Sequence, residues 1–249
     1  MRGFLIIITS VLALSDCMAQ GGFRDSQLRY PRVRQAYEEK WDLVKGLMDR
    51  AQTDRETLEI YLVAYKQEEI VEVWARKHGE QQFRLLKSYD ICALSGGPGP
   101  KRRQGDGQIP EGFYHISIFN PSSQFHLSLG INYPNASDRV LSDKDHPGGD
   151  IFIHGSCVTI GCIPITDPKI KELYLLCVEA RNNGQMKIPV TIYPARLGDL
   201  NHENLIRAYP GDPDRLNLWS DLKTAFDLFQ ETRDLPTVTF LANGRHQIR

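Results

Sequence analysis

The chain has 249 residues, 30 Lys+Arg against 31 Asp+Glu, 41% hydrophobic and 24% charged residues. Those fractions exclude a disordered, collagenous or coiled-coil chain, and a net charge of −1 argues against a nucleic-acid partner. At this length one elaborated domain, or a core with an appendage, is expected.

Residues 1–19 read as a signal peptide. Met1-Arg2-Gly3 is a short basic start, and the apolar run Phe4 to Leu14 falls short of the ~20 residues a membrane-spanning helix needs. Cys17 and Ala19 stand three and one before a cleavage point ahead of Gln20, so a soluble protein exported to the periplasm is expected. Lipidation at Cys17, which would make the protein peripheral to a membrane, is the weaker reading, because Asp16 fits poorly before a lipoprotein cysteine.

Residues 20–57 form an N-terminal helical segment, with Val33, Ala36, Tyr37, Trp41, Val44, Leu47 and Met48 at helical spacing. Residues 58–193 form the central unit. Leu58 to Tyr65 and Ile70 to Ala75 read as a hairpin about Lys66 to Glu69, and Phe83 to Cys92 as a third strand. Ser95 to Pro100 and Gln104 to Pro110 are loop by their Gly and Pro density. Gly112 to Phe119, Phe125 to Ile131, Ile151 to Ile153 and Val190 to Tyr193 are further strands. A helix capped at Thr166 or Asp167 carries the apolar stripe Ile170, Leu173, Leu176, Cys177 and Ala180, and stops at Gly184. Residues 194–249 are a C-terminal helical extension packed on the core, with Leu218, Leu222, Phe226 and Phe229 on a helix ending before Pro236. The sum is a mainly β core with flanking helices, an α+β fold, expected to be monomeric.

Chemistry concentrates between Asp150 and Ile165. A cysteine attacks carbonyl carbon as thiolate, and an imidazole can take its proton and hold it as an ion pair. His154 ends a strand and Cys162 follows eight residues later, across a loop with Gly155 and Gly161 that can bring the two side chains together. Gly161 lets the backbone approach a substrate, so the N–H groups of Gly161 and Cys162 are candidates for an oxyanion site. Cys157 is the rival nucleophile. His154, Cys157 and Cys162, with His146 as a fourth, also spell a metal-ligand set, a weaker reading because structural zinc usually shows paired short cysteine spacings. Tyr133, His146, Ser156 and Thr159 are candidate site-lining residues, and Lys101-Arg102-Arg103 could meet substrate carboxylates or face solvent. Cys92, Cys157, Cys162 and Cys177 invite a disulfide reading in an oxidising compartment, with pairing open.

The segment from Ile153-His154-Gly155 to Gly161-Cys162 resembles the active-site motif of the L,D-transpeptidase catalytic domain (YkuD-like) family, in its branch with a compact His-Gly-Ser-Cys-x-x-x-Gly-Cys loop. Gly105 to Tyr114 and Phe125 to Asn135 resemble that family's preceding elements, in the same order. The resemblance implies a YkuD-like β-sandwich core and an enzyme acting on peptidoglycan stem peptides without a cofactor. Cys162 maps to the nucleophile and His154 to the base; Gly161 and the Cys162 amide map to the oxyanion site. It leaves room for a murein-linked lipoprotein as partner. Where most of the family carry His or Arg before Gly-Cys, this chain has Ile160, which keeps hydrolysis of crosslinks or peptidoglycan–protein links as an alternative to transpeptidation. A non-catalytic wall-binding domain is the remaining reading.

Overall fold

The structure is a computed structural model, and it describes residues 22–249; the expected signal peptide and Cys17 lie outside them. No helix among the described residues is long and apolar enough to cross a membrane.

A short α1 (Phe23–Gln27) leads into α2 (Pro31–Arg50), which starts with Pro31 at its first turn, where a missing N–H costs nothing. β1 (Leu58–Tyr65) and β2 (Ile70–Lys77) form the expected hairpin, and β3 (Arg84–Asp90) pairs with β2. After the Gly/Pro loop come β4 (Gly112–Asn120), β5 (Ser128–Ile131) and α3 (Ala136–Leu141). Asn135 caps α3 by accepting the Asp138 amide at 2.9 Å. β6 (Phe152–His154), β7 (Ile163–Pro164), α4 (Asp167–Asn182) and β8 (Ile188–Tyr193) complete the central unit. α5 (Asp199–Ala208), α6 (Pro213–Thr232), β9 (Val238–Phe240) and β10 (His246–Ile248) follow.

Eight strands make one mixed sheet in the order β3-β2-β1-β8-β4-β5-β6-β7. The β1–β8 and β6–β7 pairs are parallel. The sheet rolls far enough for its two edges to meet: the Cys92 amide, just past β3, donates to Pro164 O of β7 at 2.9 Å. α4 fills the roll. The sequence suggests a one-sided stripe on this helix, but every residue from Ile170 to Ala180 is buried, because strands enclose one side and α1 and α2 cover the other. Its charged residues are therefore paired: Glu172 with Lys40 and Lys87, Glu179 with Arg24 and Arg55, and Lys171 with Glu39.

On the opposite face of β1, β2 and β8, Tyr61, Tyr65, Trp74 and Tyr193 pack against Trp219, Leu222 and Phe229 of α6. The C-terminal extension is thus part of a second core, and it is not wholly helical as expected, because β9 and β10 pair as a hairpin beyond α6.

Candidate active site

β6 delivers His154 and β7 begins one residue after Cys162. The parallel register Ile153↔Ile163 and His154↔Pro164 sets Cys162 alongside Phe152, two residues short of His154. Ile153 and Ile163 anchor both strands in the core beneath α4. The seven residues between the two candidates form a tied loop. At Gly155 a Cβ would come within 2.5 Å of Asp167 Oδ1 and 2.7 Å of Phe125 O, so only glycine fits. The Ser156 amide donates to Asp167 Oδ1 at 2.7 Å, fixing the loop to the first turn of α4. Cys157 is disulfide-bonded to Cys92, Cα to Cα 5.6 Å. Gly161 turns the chain at φ +129°, under Gln108 O.

Cys162 opens onto a cleft of about 700 Å³ walled by Lys101, Gln104, His146, Asp150 and Ile160. Among the described residues, Cys162 and Cys177 are the free cysteines, and Cys177 is fully buried in α4. The rival, Cys157, is consumed by its bond to Cys92. That bond also breaks the sequence-derived metal set, since Cys157 no longer offers a thiolate beside His154 and Cys162. His146 lines the cleft.

Several expectations are corrected. The Cys162 thiol and the His154 imidazole do not hydrogen-bond. Sγ turns toward Asp150 O, 3.5 Å away, upstream on the chain entering β6. His154 lies 1% exposed with its ring against Phe125, centroids 4.6 Å apart, and Nδ1 at 2.5 Å from Gly155 O. A carbonyl accepts only, so Nδ1 carries the proton and Nε2 is left as the ring's acceptor. The resting pair is neutral rather than an ion pair. Burial pushes the Cys162 thiol up, with the Phe152 amide opposing and the Asp150 carboxylate adding to the shift. Burial also pushes the His154 imidazole down, partly offset by the Gly155 carbonyl.

The amides of Gly161 and Cys162 do not face the cleft unpartnered. Both donate to Thr159 Oγ1, at 3.1 and 2.8 Å, and the Thr159 hydroxyl donates to Cys162 O at 2.8 Å. Thr159 therefore ties the turn that carries Cys162. Tyr133 does not line the cleft: its buried hydroxyl donates to Pro147 O at 2.9 Å and so holds the cleft's rim loop. Gly155 and Ser156 sit at the base of the loop, bonded or packed against Asp167. In the Lys101-Arg102-Arg103 run, Lys101 is spent on Asp106 (2.6 Å) within the cleft wall, and Arg102 on Asp138 and Asp214.

Sequence reading missed Asp106 and took Asp167 only as a candidate helix cap; the two fold these loops. Asp106 accepts the amides of Arg102, Arg103 and Gln108 as well as Lys101 Nζ. The Asp106-Gly107 pair signals a turn, but nothing in its spacing shows four donors converging.

The family model of the L,D-transpeptidase catalytic domain (YkuD) matches residues 59–192. The chain is 38% identical over 191 residues to YafK of Escherichia coli (strain K12), covering 76% of this chain and 73% of that protein. Among solved structures it is similar to the helical cell shape determining protein Pgp2 from Campylobacter jejuni (TM-score 0.43, 16% identity, 80% of each chain). It is also similar to Bd1075 of Bdellovibrio bacteriovorus (TM-score 0.40, 16% identity, 74% of this chain and 77% of that one).

Proposed function

Because the chain belongs to the L,D-transpeptidase catalytic-domain (YkuD) family, we propose that it is an exported cysteine acyltransferase acting on peptidoglycan stem peptides, with Cys162 as nucleophile and His154 as base. The observation that carries the assignment is the placement of Cys162, the free cysteine at the cleft, when Cys92 and Cys157 are bonded to each other and Cys177 is sealed in the core.

In this reading substrate binding turns the Cys162 thiol away from Asp150 O, a change of side-chain rotamer within a tied loop. A neutral imidazole with a free acceptor nitrogen takes the thiol proton as sulfur attacks a peptide carbonyl beside a D-centre. The Gly161 and Cys162 amides pass from Thr159 to the oxyanion. The leaving amine departs with the proton, a thioester remains, and a second amine resolves it by transpeptidation. Water resolving the same thioester is the second reading, in which a crosslink or a bond to a murein-linked lipoprotein is cut. Ile160, 90% exposed beside Cys162, favours it by offering an incoming amine no polar partner.

The test incubates the protein lacking residues 1–19 with muropeptides, with and without protein-linked murein. New crosslinks with released D-alanine are expected for transpeptidation, and freed protein or split crosslinks for hydrolysis. In parallel, a carbapenem should add one mass increment to the wild type and none to Cys162→Ala. An adduct that survives Cys162→Ala, or a wild type that gives neither adduct nor product, overturns the proposal.

A further inference from the structure

A second cavity, of about 430 Å³, lies between the β4–β8 region of the sheet and β9, and Cys162 has no part in it. Tyr61, Phe113 and Val190, all buried, give it an apolar floor. Val238 and Phe240 of β9 form its wall, and no residue of β10 lines it.

The hairpin's hydrogen bonds show what that wall offers. Thr237 and Arg249 exchange both backbone bonds, at 2.8 and 3.1 Å, and the Leu241 amide donates to Arg245 O at 2.9 Å. In an antiparallel pair, positions bonded across the pair alternate with positions whose N–H and C=O point outward. With Phe240 opposite His246 and Val238 opposite Ile248, it is Val238 and Phe240 that turn their backbone groups away from β10. An unpaired strand edge therefore borders an apolar floor, and the large Phe240 side chain beside it is 37% exposed.

The corner of the cavity at Lys187 is electropositive. Lys187 is exposed, forms no ion pair among the described residues, and the cavity lining holds no carboxylate. The positive field of Lys187 and Arg181 adds to burial in pushing the nearby His115 imidazole down.

We propose that this cavity docks an extended peptide segment of a partner protein, paired backbone to backbone with the free edge of β9. An apolar side chain of the segment rests on the Phe113–Val190 floor and a carboxylate of it faces Lys187. Main-chain bonds at a sheet edge give affinity, and the pocket beside them gives specificity. The inference does not depend on the chemistry assigned to Cys162.

The experiment titrates the full chain into a fluorescein-labelled hexapeptide of alternating threonine and valine ending in aspartate with a free carboxylate. A counterpart ending in amidated asparagine serves as control, and both are read by fluorescence anisotropy. Saturable binding is expected, tighter for the acidic peptide. Val238→Pro deletes an outward N–H and none of the hairpin's own bonds, so binding should weaken about tenfold, the equivalent of one lost hydrogen bond. Lys187→Glu should erase a preference of about fivefold for the acidic peptide. No saturable binding up to about 1 mM, where affinity would be only about −4 kcal/mol, overturns the proposal. So does binding unchanged by Val238→Pro, or binding of anionic lipid vesicles in place of either peptide. Should Val238→Pro fail to fold, Lys187→Glu decides alone: a preference that persists in it sinks the idea.

Discussion

Thr159 and Asp150 hold Cys162 in a state that resists ionisation. Thr159 Oγ1 occupies the two amides that could have stabilised negative charge at the turn, and the thiol faces a carbonyl and, further off, a carboxylate. Burial then raises the thiol above its ordinary value, while burial of His154 keeps the imidazole uncharged. The sign for reactivity follows directly. Only the thiolate alkylates, and a raised pKa means its fraction grows with pH beyond the range where an ordinary thiol, near about 8.5, is half ionised. Iodoacetamide labelling of Cys162, followed by peptide mass spectrometry, should therefore still be climbing at the pH where an ordinary thiol is already half labelled. A thiolate–imidazolium pair would instead give a plateau below pH 7, and such a plateau would show that the neutral resting pair is wrong. Cys177, fully buried with its thiol pushed up by burial alone, should stay unlabelled in the folded protein and serves as an internal control.

At the scale of elements, the loop between β6 and β7 is fastened at three points: Gly155 and Ser156 to Asp167, Cys157 to Cys92, and Gly161 and Cys162 to Thr159. The disulfide spans 65 residues of sequence and joins the chain after β3 to the opposite edge of the rolled sheet. Closing a loop of that length removes about 4 kcal/mol of unfolded-state entropy in the chain-entropy model, and measured losses typically run at about 2–4. The Cys92→Ala, Cys157→Ala double variant should lose roughly 3 kcal/mol in denaturant unfolding yet keep measurable labelling of Cys162. Complete loss of Cys162 reactivity in a variant that still folds would mean that the disulfide, and not Thr159 and Asp167, shapes the turn at Cys162. These fastenings also show what the sequence could reveal. Strands with long β-branched runs and helices with clear spacing, such as α2 and α6, were legible because their pattern is local. The two-residue β7, the three-residue β9 and β10, and the single turn and a half of α3 carry too few residues to form a period. α5 has only Leu205 buried, so it presents no stripe. The identities of Cys162 and His154 stood out through glycine and motif order. Their relative orientation did not, since it depends on Asp150 O and Phe125, which are placed by the fold.

Across the whole molecule, one buried group joins three parts that the sequence keeps far apart. Glu111, 1% exposed, accepts from Lys66 Nζ at the end of β1 (2.9 Å), from the Gly99 amide in the loop leading to the cleft wall (2.7 Å) and from Trp219 Nε1 on α6 (2.7 Å). Lys66, itself buried, also donates to Gly99 O and Ile109 O at 3.0 Å each. The sheet, the 96–111 loop and the C-terminal extension thus share one set of charges in low dielectric, where an unpaired member is costly and a fully satisfied set rigidifies its surroundings. Glu111→Ala leaves the Lys66 ammonium buried without a counter-charge and the Trp219 and Gly99 donors without an acceptor. Breaking a buried pair from one side costs about 3–5 kcal/mol, and urea unfolding should show a loss of that size. Replacing both charges, Lys66→Met with Glu111→Leu, removes the stranded ion and should be less destabilising than Glu111→Ala alone, because apolar groups of similar volume often match a buried pair. The two variants must differ in that order. If the double replacement were the worse of the two, Lys66 would be holding the molecule together through its hydrogen bonds to Gly99 O and Ile109 O rather than through its charge, since the Gly99 and Trp219 donors lose Glu111 in both variants.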